Sequence, residues 1–335
     1  MPGSRSPDVG LVLGNEIPPE ELVRLARLGE ELGFDQLWLP EDYFFNGGIA
    51  SAATVLAATE RVGIGLGIVS CMARHPAVLA IECSVLARIH PGRLTIGVGI
   101  GQPAWVRQMG IYPASQLAAL EECITGLREL LAGERVTRTG RSFLFDDVQL
   151  THPATSDVPI YVGVIGPRLL HLAGRIADGV IASIFASTAY LRWMRAQVAA
   201  GASPSRDERH PLACFAMFSV DHDADRALAA LRPTMAFYLS VLAESTLIEV
   251  YGIREELAAL NEGGPERIAA EMPDEWLRDL AVVGTPADCA AQIRRLRDAG
   301  ADSVALFPMP ADRSVDLVHL AGTDVLPRLE ARRRG

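Results

Sequence analysis

The chain predicts an α/β fold, a (β/α)8 TIM barrel with a helical insertion before the last βα unit. Three observations carry it: apolar runs too short for helices, amphipathic segments between them, and turn residues at the boundaries. The clearest stretch is Arg61 to Pro103, RVGIGLGIVSCMARHPAVLAIECSVLARIHPGRLTIGVGIGQP. Val62 to Val69 and Leu94 to Ile100 lack polar alternation and read as strands buried on both faces of a parallel sheet. Pro76 opens the crossover helix Ala77 to Ile89 between them.

The other units follow in order. Val9 to Leu13 is a strand, Pro18 to Gly33 a helix ending in glycine, and Gln36 to Leu39 a strand leading into Pro40-Glu41-Asp42. Ala50 to Thr59 is a helix, and leucines at helical spacing mark another from Ala114 to Leu131. Gly133 to His152 is turn-rich, with alternating apolar residues that predict an external β hairpin. Pro159 to Val162, Gly179 to Ala182, Leu212 to Val220 and Ser303 to Phe307 are the remaining strands. Helices Gly166 to Ala177, Ser187 to Ala200, Cys289 to Ala299 and Arg313 to Arg332 alternate with them. Asp221 to Leu280 is helix after helix, longer than a crossover needs, and forms the insertion. A doubly wound sheet would carry G-x-G-x-x-G after its first strand, and that fingerprint is missing.

No linker divides the 335 residues, so 1–335 reads as one domain, with Met1 to Asp8 and Arg332 to Gly335 as loose ends. With 49% hydrophobic and 21% charged residues a large core is available. The net charge of -10, without a basic stripe, argues against nucleic acid as partner. All 31 basic residues are arginine, and the absence of lysine excludes Schiff-base chemistry. Five scattered cysteines without C-x-x-C predict neither zinc nor disulfides and suit a reducing cytoplasm. No membrane span is expected, and no metal site, since the histidines share no ligand spacing. No G-x-S-x-G, H-E-x-x-H or Walker loop occurs.

In such a barrel the chemistry belongs at the carboxyl ends of the strands. There the sequence places Glu41 and Asp42; Gly67, Ile68 and Ser70; Gly99, Gly101 and Gln102; Gly163, Val164, Ile165, Gly166 and Arg168; and Met309. Glu41-Asp42 precede Tyr43, Phe44 and Phe45, so an acid or base stands beside an aromatic wall; equally, one carboxylate caps a helix and the other is solvated. The Gly163–Arg168 turn opens a helix and suits a phosphate, or is an ordinary βα turn. The glycines of the third and fourth strands either let a flat ligand approach or relieve crowding. His90 and Arg93 flank a turn at the opposite end and hold that loop.

Together these positions resemble the luciferase-like flavin/deazaflavin superfamily, in its coenzyme F420-dependent branch that includes methylenetetrahydromethanopterin reductase. The resemblance rests on ELGFDQLWLPEDY, GIVSCMARHPAVLA, PGRLTIGVGIGQP, PIYVGVIGPRLLHLAGRIADGVI and VGTPADCAAQIRRLRDAGADSVALFP. It implies F420 as cofactor and hydride transfer between the deazaflavin C5 and a small or medium organic substrate. It places a non-prolyl cis peptide at Gly67-Ile68 under the ring, with the cofactor tail near Ile100-Gly101-Gln102 and Val164-Ile165-Gly166. Glu41 or Asp42 would handle a proton, and Tyr43, Phe44 and the insertion would shape the substrate pocket. The chain departs from the family's frequent Asp-His at Glu41-Asp42, and carries Gln102 where sugar-phosphate dehydrogenases have a catalytic glutamate, so a sugar phosphate is not expected. Alternatives are an FMN-dependent monooxygenase supplied by a separate reductase, and a non-catalytic ligand-binding barrel. Apolar barrel helices such as Ala77 to Ile89 predict a homodimer.

Overall fold

The computed structural model describes residues 9–14, 16–202 and 210–330. Eight strands close a parallel barrel: β1 (Val9–Val12), β2 (Gln36–Leu39), β3 (Gly63–Ser70), β4 (Leu94–Gly99), β5 (Ile160–Gly163), β6 (Gly179–Ala182), β7 (Leu212–Val220) and β8 (Ser303–Pro308). Closure is made where Val9 of β1 pairs with Val304 of β8. The expected ends Met1 to Asp8 and Arg332 to Gly335 lie outside the described residues.

Side-chain alternation explains why the strands are apolar throughout. All nine residues of β7 are buried. Leu212, Cys214, Ala216 and Phe218 join the large core between strands and helices, while Ala213 and Phe215 enter a small cluster inside the barrel with Val12, Trp38, Ile181 and Ala305. A strand buried on both faces has no polar position to spare.

Local chemistry fixes the helix starts. Thr285 and Asp288 form a capping box at Pro286–Asp298. His75 caps Pro76–Ile89: its Nδ1 accepts from Ala77 N–H at 3.1 Å, so Nε2 carries the proton and donates to the Leu144 carbonyl at 3.0 Å. That second bond ties the helix to the external hairpin, where Val136–Thr139 pairs antiparallel with Leu144–Val148. At the other end Arg93 donates to the Thr59 carbonyl at 2.8 Å and the Val62 carbonyl at 3.1 Å, which holds the loop it flanks.

The insertion consists of Ala224–Leu242, Thr246–Tyr251, Arg254–Asn261, Gly264–Glu271 and Asp274–Leu280. Its Leu231, Met235, Leu239 and Trp276 pack with Phe185, Met217 and Met309, which follow or end β6, β7 and β8, so it sits on the carboxyl ends of those strands. Met309 is thereby buried instead of exposed at the mouth. Phe185 holds φ +68°, a left-handed conformation uncommon for a bulky residue, within complete burial.

Three details differ from expectation. A short strand, Val282–Gly284, pairs with the end of β7, and three residues running straight into a capping box give no readable apolar run. A helix Pro103–Gln108 follows β4, too short for periodicity to register. The segment expected as one helix from Arg313 is divided into Ser314–Leu320, a widened turn Ala321–Val325 and Leu326–Glu330. Among the described residues no helix is long and apolar enough to cross a membrane.

Candidate active site at the carboxyl ends of the strands

The barrel interior is filled before any site begins. Trp38 lies edge-on to Phe215, with ring centroids 5.2 Å apart. A Cβ on Gly65 would enter the Trp38 ring, and one on Gly67 would lie 2.6 Å from Phe215. At Gly97 it would overlap the Leu66 carbonyl oxygen and lie 2.7 Å from Ile181. Of the two readings of these glycines, close packing thus has a direct structural cause at Gly65, Gly67 and Gly97. Gly63, with only ordinary contacts at 3.6 Å, is not explained in this way.

Above this layer β3 bulges: its register against β4 shifts between Leu66 and Val69, and the Gly67–Ile68 peptide is cis. A second non-prolyl cis peptide, Tyr43–Phe44, lies in the segment after β2. The Ile68 side chain rests on two glycines. A Cβ on Gly99 would come within 2.8 Å of it and one on Gly163 within 2.6 Å, so the ends of β3, β4 and β5 close around one partly exposed isoleucine. Ser70 joins them, donating to the Ile100 carbonyl at 2.7 Å and accepting from Met72 N–H at 3.2 Å. Gly101, at φ +87°, packs beside Ser70 in a conformation that favours glycine.

The two adjacent carboxylates part company. Glu41 is 7% exposed, its backbone N–H reaches the Ile68 carbonyl at 3.2 Å, and its carboxylate is ion-paired with Arg74. Arg74 thus engages one oxygen of this buried carboxylate. Asp42 faces elsewhere: its charge, with that of Glu16, bears on Tyr238 of the insertion. Burial, then Glu16 and Asp42, push the Tyr238 phenol above its usual value. Tyr43 turns toward Ser70 and Arg74, its phenol raised mainly by burial, while Phe44 is 65% exposed. The Phe44 ring lies 6.0 Å from that of Tyr43, and the exposed Phe45 ring 6.1 Å from that of Trp105.

Gln102 has a local task. Its Oε1 accepts from Ala104 N–H at 2.5 Å and caps the Pro103–Gln108 helix. Val164 is buried, and the Ile165 carbonyl accepts from the Tyr190 hydroxyl at 2.9 Å. Gly166 starts the helix Pro167–Ile176 with no side-chain cap and nothing within 4 Å of an added Cβ. This start leaves backbone N–H groups open beside Arg168, an arrangement suited to an anion. Tyr238, Glu16, Ile184 and Phe307 also reach the mouth region, and the sequence did not mark them. They come from four distant segments, and only the closed barrel brings them together.

All five cysteines are buried free thiols. Burial pushes Cys71 up to about 12, so it stays protonated near neutrality.

Residues 5–303 match a family described as luciferase-like monooxygenase. The chain belongs to this luciferase-like family. A curated relative, the 5,10-methylenetetrahydromethanopterin reductase of Methanolobus tindarius, is 31% identical to this luciferase-like chain over 319 residues, covering 92% of it and 96% of the relative. The F420-dependent glucose-6-phosphate dehydrogenase of Nakamurella multipartita is 30% identical over 327 residues, covering 93% of each. Among solved structures, the coenzyme F420-dependent tetrahydromethanopterin reductase of Methanopyrus kandleri superposes with a TM-score of 0.82 at 22% identity, covering 97% of this chain and 99% of that one. At that identity the likeness establishes the barrel fold.

Proposed function

We propose that this luciferase-like chain is an F420-dependent oxidoreductase that passes a hydride between the deazaflavin C5 and a small or medium organic substrate. The observation that carries it is alignment over 92% and 93% of the chain with relatives named for F420-linked reactions or for the reductase branch. The strand-end residues fit such a group. The uncapped helix start at Gly166, with Arg168, suits its phosphate; the turn Ile100-Gly101-Gln102 presents backbone; and partly exposed Ile68 offers an apolar support for a flat ring. When bound, the deazaflavin supplies the hydride chemistry. The protein's part is position and exclusion of water. Glu41 braces the bulge through its backbone N–H, Asp42 and Tyr238 are the groups that would hold or move a proton, and Phe44 and Phe45 border the substrate.

An anaerobic fluorescence titration with F420 and with FMN, each oxidised and reduced, tests this. Micromolar or tighter F420 binding with FMN ignored is the expected result. Preference for reduced FMN would make the chain a monooxygenase dependent on a separate reductase, and binding of neither would leave a non-catalytic barrel.

We also propose a homodimer. On Pro76–Ile89 the residues Val78, Ile81, Val85 and Ile89 are 42%, 52%, 53% and 66% exposed, an apolar stripe at helical spacing that a second copy would cover. Sedimentation should give a dimer for the wild type and a monomer for Ile81→Glu; a monomeric wild type overturns it.

A further inference from the structure

The polar groups beside the β3 bulge form one connected set. Arg74 follows the end of β3 and donates to Glu41, which follows β2; its Nε lies 3.6 Å from Glu82 on the Pro76–Ile89 helix. Glu41 in turn donates its backbone N–H to the Ile68 carbonyl of the bulge. Tyr43 lies against Ser70, whose hydroxyl is bonded to the β4-end carbonyl of Ile100. Three strand ends are thus tied together through two side chains, Arg74 and Ser70.

The tie at Arg74 has no spare connection. Glu41 Oε2, Arg74 Nη1 and Tyr43 Oη are all buried and meet no further hydrogen-bond partner. The Glu41 carboxylate is nine-tenths buried, and Arg74 is the positive charge facing it. The other titratable groups around this pair are Tyr43, Cys71, Glu82, Cys83 and Cys123. The phenol and the thiols are neutral at pH 7, and Glu82 is a like charge. A buried carboxylate whose single opposite charge is removed must take up a proton or leave its place. Either event acts on the Ile68 carbonyl through the Glu41 backbone.

We propose that Arg74 is a positioning residue for the cofactor face: it holds Glu41 in place, and Glu41 holds the bulge that carries Ile68. The proposal rests on the F420 reading, and its test separates the two. F420 binding is measured by fluorescence, with thermal melting alongside, for wild type, Arg74→Lys, Arg74→Gln, Glu41→Gln and the double variant Arg74→Gln/Glu41→Gln.

Arg74→Gln should bind F420 at least about tenfold more weakly than wild type, because the buried Glu41 carboxylate loses its partner. Arg74→Lys should recover most of the affinity, because the charge is kept. The double variant should bind more tightly than Arg74→Gln alone, because no unpaired buried carboxylate is left. A lower melting temperature with F420 affinity unchanged in Arg74→Gln would overturn the proposal and leave Arg74 a purely stabilising residue. So would a deficit that the second substitution does not relieve. If wild type prefers reduced FMN, the same comparison is read on that ligand. If wild type binds neither, the functional reading fails and the positioning role fails with it.

Discussion

A Cβ added at Gly97 would run into the Leu66 carbonyl oxygen and the Ile181 side chain, whereas one added at Gly166 would meet nothing within 4 Å. The two glycines belong to consecutive barrel units. Gly97 lies inside the barrel wall, where the absence of a side chain makes room for its neighbours. Gly166 lies above it, where the same absence leaves backbone open to a ligand. The lesson is that a glycine's role is set by the layer it occupies. Gly97→Ala is the largest effect expected: overpacking against backbone should cost about 3 kcal/mol or more, read as a lowered urea midpoint. Gly166→Ala should cost at most about 1 kcal/mol, the price of a poorer N-cap, while weakening F420 binding. Equal losses of stability in the two variants would break the comparison.

Gly163 lies on the boundary between these layers and sharpens the contrast. Its added Cβ would meet the Ile68 Cγ2 at 2.6 Å, and no backbone atom is crowded. Ile68 is partly exposed and has room to yield, so Gly163→Ala should cost about 1 kcal/mol of stability yet displace the residue proposed to support the cofactor. F420 affinity measured by fluorescence should fall several-fold more than the melting curve explains. A loss of stability without a loss of affinity would place Ile68 in the core and away from the ligand.

The barrel was legible because its signals are local. β7 is buried over its whole length and reads as an apolar run broken only by Ser219, and Thr285-Pro286-Ala287-Asp288 announces a helix start by itself. The positions of Glu41, Asp42, Gly99 and Gly166 at the strand ends follow directly once the strands are placed. Their roles do not. That Glu41 is engaged by Arg74 while Asp42 bears on Tyr238 depends on contacts 33 and 196 residues apart along the chain, and such contacts leave no periodic trace. The double reading of the strand glycines had the same origin. Trp38, Phe215 and Ile181, which fill the space beside Gly65, Gly67 and Gly97, come from other strands.

The smallest effect expected concerns two partly buried tyrosines. Tyr161, inside the barrel, is raised to about 12, chiefly by burial. Tyr238 is raised by burial and also by the carboxylates of Glu16 and Asp42. A phenol raised in the folded state favours its neutral form there, so its contribution to stability is complete below the unfolded value near 10. It is lost as pH rises from that value through the folded one. Alkaline unfolding should therefore begin above about pH 10, and Tyr161→Phe should shift its onset upward. The two tyrosines differ in what removes the shift. Asp42→Asn should lower the pH at which Tyr238 ionises, seen as the difference in ultraviolet absorbance titration between that variant and Asp42→Asn/Tyr238→Phe, because one negative neighbour is gone while burial remains. The same substitution should leave Tyr161, whose charged neighbours are Asp302 and Asp178, where it was. A Tyr238 titration indifferent to Asp42 would separate the insertion from the carboxylate side of the mouth and remove the phenol from the proposed proton path.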